Sequence, residues 1–337
     1  MEEKHRLPEG YTGKPGSLEY AAQAADLFNI CNQAILGVHF DTPEDLTQEW
    51  QTPGFNPESD IIVVFSPDGQ LVGYSDLWAL MTQPVHPFLW GQVHPEHEGR
   101  GIGTVLINWG EKAAERVYSK LPQAARVSIF CEALTKHQSA IQLLEDCGFS
   151  NIRYSFQMQI DMKERPPQAV FPQNIQLRTF KMEDARPLFL ANDEAFRDHF
   201  GFVQQDLEEG YQRFLHNRIN GVGFDPAYWL LAMDGDEIAG FSLCRPHARE
   251  AEDMGWVSTL AVRRRWRKHG LGLALLLQSF NLYWDKGIRK VGLGVDAENL
   301  TGALNLYLKA GMHVHRQTNL YEKEIRPGIE LAVTDLK

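Results

Sequence analysis

Cysteine is scarce in this chain, and its four copies stand far apart. Cys31, Cys131, Cys147 and Cys244 form no CxxC pair and no Cys/His ligand spacing. That excludes a disulfide scaffold and offers no zinc signature. Long apolar runs are also missing. The densest, LALLL at 273–277, is interrupted at once by Gln278, whereas a membrane-spanning helix needs about 20 such residues. The opening stretch MEEKHRLPEG has no apolar core for a secretory signal. The expected setting is therefore cytoplasmic, with no membrane partner. Excess positive charge is absent too. The net charge of −11 disfavours broad nucleic-acid binding. No GxGxxG occurs and no strand–turn–helix unit opens either half of the chain, so a Rossmann dinucleotide site fails.

What the chain does have is a duplicated glycine turn. HPEHEGRGIGTVLINWGEKAAERV runs from His94 to Val117, and RRRWRKHGLGLALLLQSFNLYWDKG from Arg263 to Gly287. Gly101 and Gly103 correspond to Gly270 and Gly272. A glycine pair at a helix start lets backbone N–H groups approach a ligand, and the helix dipole favours phosphate there. The repeat reaches further. GFNPESDIIVVFSPDGQLVGYSDL (54–77) parallels GFDPAYWLLAMDGDEIAGFSLC (223–244), each reading as strand, turn, strand, with turns at Asp68-Gly69 and Asp234-Gly235. AIQLLEDCGF (140–149) parallels ALNLYLKAGM (303–312), two short helices closed by Gly148 and Gly311. Gly54 lies as far from Gly223 as Gly101 does from Gly270. A constant interval means whole-domain duplication.

The length of 337 residues suits two domains, and a hydrophobic fraction of 43% suits packed cores. The proline-bearing stretch MKERPPQAVFPQN (162–174) reads as the linker. The expected domains are 1–163 and 173–337. Each combines a mostly antiparallel mixed sheet with flanking helices, an α/β (α+β) class.

These residues resemble the GNAT superfamily of N-acyltransferases. Arg/Gln-x-x-Gly-x-Gly/Ala after a buried strand is its acetyl-CoA signature. It stands here as Arg267-Lys268-His269-Gly270-Leu271-Gly272, preceded by WVSTLAV. DAENLTGALNLYLKAGM resembles the second signature, with Asn299 and Tyr307 in place. More loosely, the tandem layout and ANDEAFRDHF are similar to the mycothiol synthase group. The resemblance implies acetyl-CoA as cosubstrate, no metal, and two tandem splayed-sheet domains. It also implies direct transfer of an acetyl group to a primary amine in a ternary complex. His269 to Leu273, with Arg267 and Lys268, would hold the diphosphate. Arg263, Arg264 and Arg265 would either meet the 3′-phosphate or stand in solvent. Leu260, Ala261 and Val262 would pair with pantetheine through their backbones. Tyr307 would protonate the leaving thiolate. The strand position that usually holds the base is Trp256, which cannot serve; the candidates are Glu194, Glu252, Asp253 and His199, with Glu194 preferred.

The halves differ. Glu98 occupies the first-half arginine position, and Leu144 the tyrosine position. The first half is expected to be non-catalytic. Gly99, Arg100, Gly101, Ile102 and Gly103 either hold a second coenzyme A or are purely structural. His94 and His97 have no further ligands nearby, so surface roles are expected. The acids between Asp193 and Glu209 suit either a cationic acceptor or a solvated helix face. By resemblance, the acceptor is a cysteinyl amino sugar or another small amine. The alternatives are a coenzyme A sensor without catalysis and a protein or peptide N-acetyltransferase. Both a monomer and a homodimer fit.

Overall fold

The structure is a computed structural model, and it describes residues 6–298 and 302–334. The first half of the sequence runs β1 (Thr12–Pro15), α1 (Ala21–Leu36), α2 (Pro43–Trp50), α3 (Pro57–Asp60), β2 (Ile61–Phe65), β3 (Leu71–Trp78), β4 (Phe88–Val93), α4 (Ile102–Ala114), β5 (Val127–Leu134), α5 (Gln138–Asp146) and β6 (Ser150–Asp161). The second half runs β7 (Ile175–Thr179), α6 (Ala185–Phe196), α7 (Leu207–Phe214), β8 (Trp229–Asp234), β9 (Glu237–Arg245), β10 (Met254–Val262), α8 (Leu271–Asp285), β11 (Lys290–Asp296), α9 (Ala303–Lys309) and β12 (His313–Arg326).

Two compact units form, and each draws on both sequence halves. Unit 1 holds residues up to Arg153, with Val203–Arg213 and Asn319–Ala332. Unit 2 holds Tyr154–Phe202, Phe214–Thr318 and the residues from Val333. The strand order in unit 1 is β1-β2-β3-β4-β5-β12, and in unit 2 it is β7-β8-β9-β10-β11-β6. The closing strands are thus exchanged: Tyr154–Asp161 serves unit 2, and Asn319–Arg326 serves unit 1. β4–β5 and β10–β11 are parallel pairs. β1–β2, β2–β3, β3–β4, β7–β8, β8–β9, β9–β10 and β11–β6 are antiparallel. Gly69 and Gly235 turn the β2–β3 and β8–β9 hairpins with φ of 87° and 58°, a region closed to most side chains.

In unit 1, α1 and α2 lay Phe28 and Trp50 against Tyr74 of β3, with ring centroids 4.8 and 5.8 Å apart. Tyr74 donates a 2.8 Å hydrogen bond to Asp76 Oδ2. Asp76 Oδ1 is buried without a partner among the described residues. Burial pushes the Asp76 carboxyl up to about 7. In unit 2, α8 is apolar nearly all round and buries Leu271, Ala274, Leu275, Leu276, Phe280 and Tyr283. The Tyr283 hydroxyl donates to the Arg245 and Trp256 carbonyls at 2.6 and 3.0 Å, which locks the helix to β9 and β10.

Candidate functional site

In unit 2, β10 pairs with β11 only from Met254↔Lys290 to Val257↔Leu293. On its other edge, β10 stays paired with β9 as far as Val262↔Gly240. The register with β9 shifts between Val257 and Thr259. The extra residue, Ser258, bends the strand there, as bulges do. From Ser258 to Val262, the edge of β10 that would face β11 carries no sheet pairing. Backbone donors and acceptors left open inside a sheet demand partners. Leu260, Ala261 and Val262 stand on this stretch. The Ser258 hydroxyl oxygen is buried and has no partner among the described residues. Unit 1 repeats the device, since β4 and β5 pair only at Phe88↔Phe130.

The glycine turn follows β10. Lys268 has φ of 67° and Gly270 has φ of 79°, both left-handed. Gly99 and Gly101 repeat the pattern at 72° and 83°. Left-handed residues at this spacing turn backbone N–H groups toward one side, a concavity that suits an anion. Helices of 15 and 13 residues start immediately after, at Leu271 and Ile102, and add their positive ends. Lys268 is the one non-glycine residue with positive φ among the described residues.

Carboxylates from α6 and its end brace this turn. Arg267 reaches Asp198 Oδ2 at 2.7 Å, the Ala195 carbonyl at 2.8 Å and the Val262 carbonyl at 3.0 Å. Arg264 also pairs with Asp198, and the two guanidinium groups hold its carboxyl below the usual range. Arg263 pairs with Glu194 at 2.6 Å, and Arg265 with Glu237 at 3.0 Å. Arg197 pairs with Asp193 at 2.9 Å. Asp193, Glu194 and Asp198 therefore meet arginines. Lys268 and His269 are exposed, and among the described residues neither joins an ion pair.

Glu194 lies beside Arg263, past the far end of β10 from the Ser258 bulge. Asp253 pairs with Lys290 at 2.7 Å, and Glu252 is exposed. Burial pushes His199 down. Trp256 lies over Gly292 of β11. Tyr307 of α9 is buried, and desolvation pushes its hydroxyl up to about 12. Asn299 lies outside the described residues. Asp198 and Ser258 lie inside ANDEAFRDHF and WVSTLAV without being singled out there, and the β6 side chains belong to no motif.

Unit 1 holds a cleft of about 340 Å³ lined by Cys31, Val93, Glu98, Lys136, His137 and Gln138. Glu98, the counterpart of Arg267, faces His137 at 3.6 Å. The Val93 carbonyl, matching that of Val262, accepts instead from the Cys31 thiol at 3.3 Å. Burial pushes that thiol up to about 12. Leu144 is buried where α9 has Tyr307. Arg100 hydrogen-bonds the Tyr11 hydroxyl and the Glu96 carbonyl, both at 3.3 Å.

The acetyltransferase (GNAT) family model matches residues 24–149 and again 189–312. The chain belongs to the GNAT acetyltransferase family. It is 31% identical over 237 residues to a mycothiol acetyltransferase of Renibacterium salmoninarum. That match covers 68% of this chain and 65% of the relative, just under two thirds of the relative's length. A solved GCN5-related N-acetyltransferase from Sphaerobacter thermophilus is 32% identical with a TM-score of 0.77, over 98% of this chain and all of that one. A tandem GNAT protein from the clavulanic acid pathway, at 16% identity and a TM-score of 0.67, covers 95% of this chain and 100% of its own. That likeness shows the tandem fold. Among the described residues no helix is long and apolar enough to cross a membrane, and no group of three or more His, Cys, Asp or Glu could hold a metal.

Proposed function

We propose that the chain transfers the acetyl group of acetyl-CoA directly to a primary amine of a small molecule, in a ternary complex, at the unit 2 site. The observation that carries this is the unpaired edge of β10 leading straight into the left-handed turn before α8. An extended amide chain ending in a diphosphate needs that sequence of features: strand-like pairing first, then an anion cradle. Leu260, Ala261 and Val262 offer the backbone pairing, and the turn from His269 to Leu273 offers N–H groups. Lys268 adds uncommitted charge. Arg267 shapes the turn, because its own charge is already paired with Asp198. Asn299 belongs to the same proposal through its motif.

The amine nitrogen attacks the thioester carbonyl carbon, the C–S bond breaks, and the sulfur leaves as thiolate. A backbone N–H on the β10 edge stabilises the oxyanion. Tyr307 hands its proton to the sulfur. Its hydroxyl, pushed up to about 12, stays protonated at neutral pH, as an acid must be before transfer. The amine's proton passes to solvent. Glu194 serves as a brace on Arg263 in this scheme, since its carboxylate is already paired and lies at the turn end of the strand. The similarity to mycothiol acetyltransferases favours a cysteinyl amino sugar or a related small amine over a protein substrate. Unit 1, with Glu98 in place of the motif arginine and leucine at the tyrosine position, is non-catalytic. Its residues Gly99 to Gly103 keep the geometry of an anion cradle.

The test is thiol release from acetyl-CoA with a panel of amines, amino sugars and peptides. Release with a small amine and loss of release in Tyr307→Phe support the reading. Acetyl-CoA binding without transfer to any amine would mark a sensor, and transfer only to peptides would mark a protein-directed enzyme. Either result overturns it.

A further inference from the structure

Gln157 of β6 stands opposite Gly294 of β11 in the sheet of unit 2. Gly294 is the first residue of β11 beyond its last pair with β10, Val257↔Leu293. A Cβ built at Gly294 meets no atom within 4 Å, and the residue is exposed although its strand has neighbours on both sides. Two residues earlier, on the same face, a Cβ at Gly292 would lie 2.7 Å from the Trp256 ring. The indole therefore roofs this face up to the parting of the strands. From Gly294 onward the face is open.

Gln157, the residue paired with Gly294, carries an unusual group. Its Nε2 donates to Glu250 Oε1 at 2.5 Å. Both Glu250 oxygens also accept from Arg316 Nη2, at 2.9 and 2.7 Å. A carboxylate held by a guanidinium is ionised and can only accept. The Gln157 amide cannot turn over without setting oxygen against oxygen. Its Oε1 is consequently fixed away from Glu250, buried, and without a partner among the described residues. A buried carbonyl left unmet is costly. Here an ion pair enforces that cost in the residue paired with Gly294, whose own face is open where β10 and β11 part.

We infer that Gln157 Oε1 is the recognition group for the amine acceptor. It takes an N–H from the acceptor molecule, Gly294 leaves the room that molecule needs, and Glu250 and Arg316 are positioning residues. This inference rests on the acyl-transfer reading above. The ligand class is a hydrogen-bond donor, which on the acyl-transfer reading is the N–H of an amine or aminoacyl amide. Gln157 also comes from the first half of the sequence, so the second-half site depends on a side chain that neither of its own signatures contains.

The experiment measures thiol release by the full chain with acetyl-CoA and a panel of glucosamine, cysteinyl glucosamine, L-alaninamide and glycylglycine. KM and kcat are then obtained for the best amine. Gln157→Met keeps the side-chain volume and removes the carbonyl. It should raise the acceptor KM about tenfold while the acetyl-CoA KM stays unchanged, the scale of one lost hydrogen bond. Glu250→Gln frees the amide to turn and should raise the acceptor KM less. Gly294→Val places carbon where no atom stands, so it should fold with an unaltered Tm and still lower kcat/KM for the amine. Wild-type acceptor kinetics in both Gln157→Met and Gly294→Val overturn the inference and leave acetyl transfer intact. No release with any amine by the unaltered chain overturns both readings.

Discussion

Asp198 holds Arg267 at 2.7 Å and Arg264 by its other oxygen, so one carboxylate after α6 anchors both ends of the turn before α8. The arginine of the motif thereby works on the protein's own backbone, capping the Val262 carbonyl where the open edge of β10 ends. In unit 1 Glu98 faces His137 instead, and the matching carbonyl is met by a thiol.

Asp198→Asn should loosen the turn and raise the acetyl-CoA KM roughly five- to tenfold, with kcat nearly unchanged, the scale of a charge-assisted hydrogen bond. The Asp198 carboxyl is held below its ordinary value. Its contribution to stability is therefore complete above the unfolded carboxylate range and is lost as pH falls through the lower folded value. Acetyl-CoA binding by calorimetry between neutral pH and about pH 4 should show little loss from this group. A steep loss near pH 6 would assign the turn's integrity elsewhere.

Tyr307→Phe should lower kcat by about 10²–10⁴ and leave acetyl-CoA affinity alone. Steady-state kinetics and an independent binding isotherm separate the two effects. Unchanged kcat removes Tyr307 from proton transfer to the thiolate.

Lys268→Gly tests a left-handed residue that carries a charge. Glycine relieves about 1–2 kcal/mol of backbone cost but gives back roughly 0.5–1 kcal/mol through unfolded-state freedom. The thermal midpoint should rise slightly or hold, while the acetyl-CoA KM increases for want of the ammonium. A clear drop in Tm would show that the lysine side chain stabilises the turn in the absence of ligand.

Asp76 lies far from these groups in sequence and reports on the core of unit 1. Its carboxyl is pushed up to about 7 by burial, so the folded state holds a proton that the unfolded chain releases near pH 4. Stability should fall as pH rises between those values. Asp76→Asn should be more stable than the parent chain at pH 8, by at most about 4 kcal/mol, and the gap should narrow as pH falls and close below about pH 4. Urea melts across that range give the difference directly. A parent chain that gains stability steadily from pH 5 to 8 would contradict the buried, proton-holding state.

Local chemistry made much of this fold readable. Asp68-Gly69 and Asp234-Gly235 marked their hairpins because few other dipeptides take that turn. Gly101 and Gly270 marked helix starts for the same steric reason. The duplication and the mixed, helix-flanked sheets followed from repeated spacing. Three features stayed hidden because each depends on residues distant in sequence. β6 and β12 are both adequate closing strands, and no local pattern tells either one whether to join β5 or β11. The acids around Asp198 look like a solvated helix face until Arg264 and Arg267 are brought against them. Gln157 sits outside every motif, and it gains meaning only when the β11 register sets it across from Gly294.

The exchanged closing strands also bear on how the chain is made. A ribosome releases β1 to β5 well before the residues that cover the β5 edge, Asn319–Arg326. Until then an exposed strand edge waits, open to mispairing. The early part of this protein is therefore completed only by a segment made long after it.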